Sequence, residues 1–352
     1  MACLRTCATA ARASIAMSSI CKVLFCGEEL PFSYTYTSEA LQNDHGIKVV
    51  RCAQSEIKRH LQEADVAVPL MCKLDAQLLR TAKRLKMIIQ YGVGVEGIDI
   101  PEATEQGIWV SNIPSSATGN ALSCAEHAIY LMMATLRQQN AMRESIQQGR
   151  VGVPVGETLF GKSVLIVGFG NIAKELIPRL KPFHVKLMGV RRSPWGTNPS
   201  DSHLEAELQQ RGVFQDLPGL VGQADLIVLT CSLTDATRGM VDRTFLKACK
   251  PGVRIINVAR GGLLDYNAVN GMLDTDAIGA LGLDVQWQEP WDPQHYITNH
   301  PKVVMTPHVA GVTELSYRTM AQVVANEVRR HVQGLPPAIQ LNSIRQSMPD
   351  AL

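Results

Sequence analysis

Residues 163–167 (S-V-L-I-V) run straight into 168–173 (G-F-G-N-I-A), and a helical pattern follows over 172–180. Few folds accommodate an apolar strand, a glycine-rich turn and a helix in that order. Gly168 permits the tight strand-to-helix turn, and Gly170 lets a bound group approach the backbone. Ala173 is small enough for the helix to pack close on the sheet. The helix head, with Asn171 and Ile172, then presents its free N–H groups to an anion. This arrangement points to the pyrophosphate of a dinucleotide and calls for a parallel α/β sheet around it.

The rest of the chain supplies that sheet. Apolar runs at 185–190, 226–230, 253–258, 279–284 and 303–306 read as further buried strands of the same series. The polar stretch between Arg191 and Asp216 reads as a loop giving way to a short helix at 204–210. Upstream, runs at 22–26, 47–51, 66–70 and 87–90 alternate with helical patterns at 56–63 and 75–84, a second β-α-β-α-β series. One uninterrupted helix is expected over 121–148, ended by Gly149, and another over 314–332, ended by Gly334, Pro336 and Pro337. Two domains follow: 20–120 plus 315–352, and 121–314. A length of 352 residues, 46% of them apolar and 19% charged, is enough for two cores.

Composition removes several classes of function. Thirty-four basic against 32 acidic residues leaves +2, too small an imbalance to favour nucleic acid or anionic membranes. No run approaches the roughly 18 apolar residues of a membrane span. The nine cysteines include no C-x-x-C pair, so reduced thiols are expected and no metal site. The first acidic residue is Glu28, and the stretch 1–19 is basic and rich in Ala, Ser and Thr. That stretch suits either an organellar (plastid or mitochondrial) transit peptide or a disordered cytosolic tail, with Met17 available as a second start.

The end of the strand at 185–190 bears on which dinucleotide is bound. An acidic side chain there would accept hydrogen bonds from the ribose hydroxyls of NAD. The sequence instead places Arg191 and Arg192, which pair with a 2′-phosphate and leave no carboxylate to repel it. NADP is therefore favoured over NAD.

Three segments sit at expected strand ends: 257–265 (N-V-A-R-G-G-L-L-D), 282–290 (G-L-D-V-Q-W-Q-E-P) and 306–311 (T-P-H-V-A-G). With the glycine turn, they make the chain resemble the D-isomer-specific 2-hydroxyacid dehydrogenases, which include glyoxylate and hydroxypyruvate reductases and phosphoglycerate dehydrogenase. The resemblance runs from about Ile20 to Pro337. It implies two Rossmann-like α/β domains, one flavodoxin-like and one NAD(P)-binding, with the active site in the cleft between them. Reducing a 2-keto acid needs hydride at carbon, a proton for oxygen and a cation for the carboxylate. The resemblance assigns His308 as proton donor, Glu289 as its orienting partner, and Arg260 as the fork on the carboxylate. It places Asp284 beside the nicotinamide and adds Cys231, Val258, Ala259 and Ala310 to the cofactor contacts.

Residues 91–99 (Y-G-V-G-V-E-G-I-D) resemble the family's glycine-rich substrate loop, in which backbone N–H groups matching Val93 and Gly94 bind the carboxylate. Lys73 matches a substrate-facing lysine, and His127 reads as structural. Glu96 stands where the family usually has Asp, and Cys231-Ser232 replaces a Pro-containing turn. Glu289 argues against formate dehydrogenases, which carry Gln there. The 44 residues after His308 are too few for the regulatory domain of many phosphoglycerate dehydrogenases. The leading expectation is an NADP-preferring glyoxylate or hydroxypyruvate reductase. An NAD-dependent D-3-phosphoglycerate dehydrogenase and a nucleotide-sensing corepressor are the alternatives. A homodimer joined through the cofactor-binding domains is also expected. Its basis is that Ala121, Leu122, Ala125, Ile129, Met132, Met133 and Leu136 carry more apolar surface than one packing stripe needs.

Overall fold

The computed structural model describes residues 20–344 apart from 276, so the leader or tail expected over 1–19 lies outside the described residues. The chain divides into two compact units. The first comprises residues up to Tyr91, Val95–Asn112 and residues from Ala321 onward; the second comprises Gly92–Gly94 and Ile113–Met320. The junctions therefore differ from those expected at 120/121 and 314/315. Hydrogen bonds across the expected junction explain the shift: Ser123 Oγ donates to the Gly119 carbonyl at 2.8 Å and meets the Thr313 hydroxyl at 2.7 Å, and Gly119 N–H donates to Thr319 Oγ1 at 3.0 Å. The start of the last helix is thereby tied to the second unit, a pairing that periodicity cannot reveal.

The first unit is a parallel sheet of β1 (Cys21–Cys26), β2 (Ile47–Cys52), β3 (Val66–Pro69), β4 (Met87–Gln90) and β5 (Trp109–Asn112), in the order β2-β1-β3-β4-β5. The second unit contains β6 (Ser163–Val167), β7 (Lys186–Arg191), β8 (Gln210–Val213), β9 (Leu226–Leu229), β10 (Val253–Asn257), β11 (Ile278–Leu283) and β12 (Val303–Met305). Their order is β12-β11-β10-β9-β6-β7-β8, again all parallel. Strand side chains alternate between two core layers. Val164, Ile166, Leu226 and Val228 enter one, while Leu165, Val167, Ile227 and Leu229 enter the other. Helices cover both faces, which is why these strands read as continuous apolar runs. In each sheet the strand order reverses once, between β6 and β9 and between β1 and β3, and that reversal opens a crevice at the carboxyl ends.

Several expectations are corrected. β5 and β8 are short edge strands (W-V-S-N and Q-R-G-V) without an apolar run, so they were not anticipated. The expected helix at 204–210 is only Ser202–Glu205, because Gln210 onward pairs with β7. Helix Pro31–Ala40 (P-F-S-Y-T-Y-T-S-E-A) also carries no clear apolar period. The single helix expected over 121–148 is two, Asn120–Leu136 and Gln139–Gln147, broken at Gln138 with φ 53°. No glycine or proline marks the break. It is held by Gln138 Nε2 donating to the Val155 carbonyl at 3.0 Å, and by Asn140 Nδ2 donating to the Val303 carbonyl at 2.8 Å. Of the helix residues expected to leave an uncovered face, Ala121, Ala125, Met132 and Leu136 are buried within the chain itself. Met133 on that helix is exposed, as are Tyr130 beside it and, further along, Ile146, Val151, Val155 and Phe160. Among the described residues no helix is long and apolar enough to cross a membrane.

Candidate active site

Each candidate in the second unit follows the carboxyl end of a strand. Gly168 succeeds β6, Arg191 closes β7, Cys231 follows β9, Arg260 follows β10, Asp284 and Glu289 follow β11, and His308 follows β12. Parallel strands of nearly equal register therefore bring residues far apart in sequence to one sheet edge.

The glycine turn lies at the β6/β9 crevice. Gly168 has φ 107°, and a Cβ there would stand 2.6 Å from the Cys231 backbone nitrogen, so glycine is required on two counts. At Gly170 a Cβ would meet nothing within 4 Å, leaving open space over the head of helix Asn171–Leu180. Gly170 caps that helix without a side-chain bond, so its first N–H groups remain available to an anion. Asn171 is oriented by its Nδ2 donating to Ser115 Oγ at 3.0 Å. Ala173 is fully buried and Ile172 packs beside it. This cradle fits a dinucleotide pyrophosphate.

Arg191 departs from the expected picture. Its guanidinium lies over the Phe169 ring at 5.5 Å and the Trp195 ring at 5.2 Å, and pairs with Glu205 at 3.3 Å. The expectation of no carboxylate at this strand end is thus overturned: buried Glu205, fourteen residues further on, is brought beside it by the short helix Ser202–Glu205. Glu205 also accepts from Gly196 N–H at 3.0 Å and pairs with Arg211 at 3.6 Å. Arg192 is exposed.

Toward the β12 end of the same carboxyl edge, His308 Nδ1 meets Glu289 Oε2 at 2.7 Å, while Gln286 N–H donates to Glu289 Oε1 at 2.9 Å. Burial alone would raise the Glu289 carboxyl. The His308 hydrogen bond and charge, the Gln286 N–H and the Arg260 charge outweigh it and hold the group below its ordinary value. Gly261 lies so close to Gln286 that any Cβ would overlap its carbonyl, and the Arg260 guanidinium donates to the Ala259 carbonyl at 2.8 Å. The Asn257 amide donates to the Arg260 carbonyl at 2.9 Å and fixes the turn. Val258, Ala259 and Ala310 are buried, and the N–H groups of the two alanines are taken by Asn257 Oδ1 and Asp284 Oδ2.

Asp284 and His127 do more than their motifs suggested. Asp284 is 1% exposed, and its carboxylate accepts from Thr306 Oγ1 at 2.6 Å, Val309 N–H at 2.9 Å and Ala310 N–H at 2.9 Å. His308 N–H donates to the Asp284 carbonyl at 2.8 Å. His308 itself has φ 54°, a left-handed conformation that costs on the order of 1–3 kcal/mol and persists only where the surroundings fix it. Asp284 holds the neighbours of His308 on both sides. His127 Nε2 meets Thr306 Oγ1 at 2.9 Å and lies 3.4 Å from Asp284 Oδ1; burial holds the imidazole below its ordinary value against the pull of Asp284. Thr306 opens the T-P-H motif two residues before His308, and that position is the local signal of its role.

Val93 and Gly94 cluster with the second unit, Val93 exposed and Gly92 at φ 142°. Lys73 belongs to the first unit, exposed on the segment that leaves β3. Among the described residues no group of three or more His, Cys, Asp or Glu could hold a metal ion.

Comparison with known proteins agrees with this geometry. Residues 129–310 match the family model "D-isomer specific 2-hydroxyacid dehydrogenase, NAD binding domain". A glyoxylate reductase of Thermococcus litoralis is 33% identical over 300 residues, 82% of this chain and 87% of that protein. A D-3-phosphoglycerate dehydrogenase of Archaeoglobus fulgidus is 32% identical over 287 residues, covering 80% of this chain and 52% of that protein. The chain thus spans about half the length of the phosphoglycerate dehydrogenases it matches. The crystal structure of the TT0316 protein from Thermus thermophilus superposes with a TM-score of 0.79 at 25% identity, over 91% of this chain and all of that one.

Proposed function

Because the chain belongs to the D-isomer-specific 2-hydroxyacid dehydrogenases, we propose that it reduces a small 2-keto acid of the glyoxylate or hydroxypyruvate kind to the 2-hydroxy acid, of D configuration where that carbon is chiral, with NADPH favoured over NADH. The observation that carries this reading is the 2.7 Å pair of His308 Nδ1 with Glu289, on the same sheet edge as Arg260 and the Gly168–Gly170 turn. The bound nicotinamide supplies the hydride. The chain supplies everything else. Glu289, held ionised, accepts from His308 Nδ1–H and fixes the ring, so that Nε2–H is the proton delivered to the carbonyl oxygen. Arg260 offers its planar fork to the substrate carboxylate, with the backbone N–H groups of Val93 and Gly94 as further donors, and the family resemblance carries a substrate contact over to Lys73 of the first unit. Gly168, Gly170, Asn171 and Ile172 would receive the pyrophosphate.

The NADPH preference rests on the two arginines at the end of β7. Arg191 is oriented by Glu205 and the two aromatic rings, and exposed Arg192 adds a second cation for a 2′-phosphate. Assembly as a homodimer through the second unit is also inferred. Its support is the apolar segment after helix Gln139–Gln147, where Val151 is 97% and Val155 83% exposed. The test is a panel of glyoxylate, hydroxypyruvate, pyruvate and 3-phosphohydroxypyruvate with each reduced cofactor, on wild type and His308→Ala. Turnover of glyoxylate or hydroxypyruvate that falls by about 10²–10⁴ in the variant, with cofactor binding retained, supports the reading. A decisive preference for 3-phosphohydroxypyruvate with NADH, or no turnover at all, refutes it.

A further inference from the structure

We propose that Cys72 and Cys26 form a peroxide-reactive thiol pair at the carboxyl edge of the first unit's sheet, closing to a disulfide that displaces the segment carrying Lys73. The sheet order opens its crevice between β1 and β3; Cys26 is the last residue of β1, and Cys72 follows the end of β3 at Pro69. Cys72 Sγ lies 3.4 Å from the Cys26 carbonyl oxygen. Cys52 is the register partner of Cys26 across β1 and β2, and all three side chains meet in one apolar cluster. Cys26 is fully buried whereas Cys72 is partly exposed, so a small oxidant meets Cys72 first.

The surroundings separate these thiols chemically. Burial pushes Cys21 and Cys231 up to about 11 and Cys124 and Cys249 up to about 12, which keeps them protonated and unreactive. At Cys72 a hydrogen bond from the Cys26 thiol outweighs burial and holds the group below its ordinary value, and Cys26 is raised in return. The thiolate is the form that attacks peroxide. Cys72 sulfur attacks the O–O bond, becoming a sulfenic acid and releasing one water. Cys26 sulfur then displaces the sulfenic oxygen, which leaves as a second water with the Cys26 proton. Two thiols lose two electrons, and one peroxide gains them.

The bond must pull on a clamped segment. Leu74 N–H donates to the Gly97 carbonyl at 2.8 Å, Asp99 N–H donates to the Leu74 carbonyl at 3.1 Å, and a Cβ on Gly97 would stand 3.1 Å from the Cys72 carbonyl. Drawing Cys72 to bonding distance of Cys26 therefore shifts Lys73 and strains the neighbouring Leu74–Gly97 hydrogen bond. The effect on turnover rests on the keto-acid reading above; the thiol chemistry does not.

The experiment treats the reduced full chain with hydrogen peroxide, blocks the remaining thiols with a maleimide and maps unreduced peptides by mass spectrometry, with glyoxylate reduction assayed in parallel. A Cys26–Cys72 peptide is expected, reversed by dithiothreitol and absent in Cys72→Ser and Cys26→Ala. Activity should fall about tenfold or more through KM, recover on reduction, and resist peroxide in Cys72→Ser. Cys72 still fully labelled after peroxide, or Cys26 linked to Cys52 instead, overturns the proposal. A correct disulfide with unchanged KM overturns the displacement of Lys73. If reduced wild type turns over no keto acid, the functional reading fails, while the peptide map still decides the thiol chemistry. Should Cys26→Ala not fold, Cys72→Ser and Cys52→Ser decide it.

Discussion

Replacing Asp284 with alanine removes the acceptor for three donors at once: Thr306 Oγ1 and the N–H groups of Val309 and Ala310. Ala310 is buried and Val309 half-buried, so solvent can repair the loss only in part. A buried donor left without a partner costs about 1–3 kcal/mol. Two N–H groups and a hydroxyl, with partial access to water at Val309, add to roughly 2–5 kcal/mol. For a unit of this size each kcal/mol lowers the melting temperature by about 2–4 °C, so a fall of roughly 4–20 °C is expected. The His308 loop, left-handed at φ 54° and no longer tied at Val309, should also lose its aim, lowering kcat about 10–100-fold. Asp284→Asn keeps one acceptor oxygen and should lie between the two. Calorimetry and steady-state kinetics on the three proteins test this. If Asp284→Ala melts within about 2 °C of wild type and only the cofactor KM rises, the carboxylate serves the nicotinamide and not the loop, and the reasoning is wrong.

Arg191→Asp should reverse or abolish the preference for NADPH, because the 2′-phosphate would face Glu205 and a second carboxylate; an unchanged kcat/KM ratio for the two cofactors counts against the arginine reading. Glu289 is held below its usual 4.5, so its pairing with His308 and Arg260 stabilises the fold above that pH and is lost as pH falls through the lower folded value. The stability gap between wild type and Glu289→Gln, read by denaturant melts from neutral pH down to about pH 3, should therefore shrink on acidification. Val151→Glu with Val155→Glu should give a particle near the 38.5 kDa chain mass by light scattering where wild type gives about twice that; an unaltered mass places the dimer contact elsewhere.

Strand positions in both units were legible where both faces of a strand are buried, because continuous apolar runs such as Val164–Val167 and Leu226–Leu229 leave little choice. The edge strands β5 and β8 were not, since an edge strand needs neither an apolar run nor an alternation to pair. The break at Gln138 was equally hidden: nothing local ends the helix there, and its stability comes from the carbonyls of Val155 and Val303. For the site, the chemistry was readable because glycine turns and the residue types Arg260, Glu289 and His308 carry their own reasons. The pairing of Glu289 with His308 came with the family resemblance, and the remaining partnerships were not readable. Glu205 beside Arg191, and the Thr306, Asp284 and His127 network behind His308, join residues 14, 22 and 179 positions apart. Local residue chemistry sets which groups can bind an anion or hand over a proton. Which of them share a hydrogen bond depends on where folded strands end, and only the packed sheet decides that.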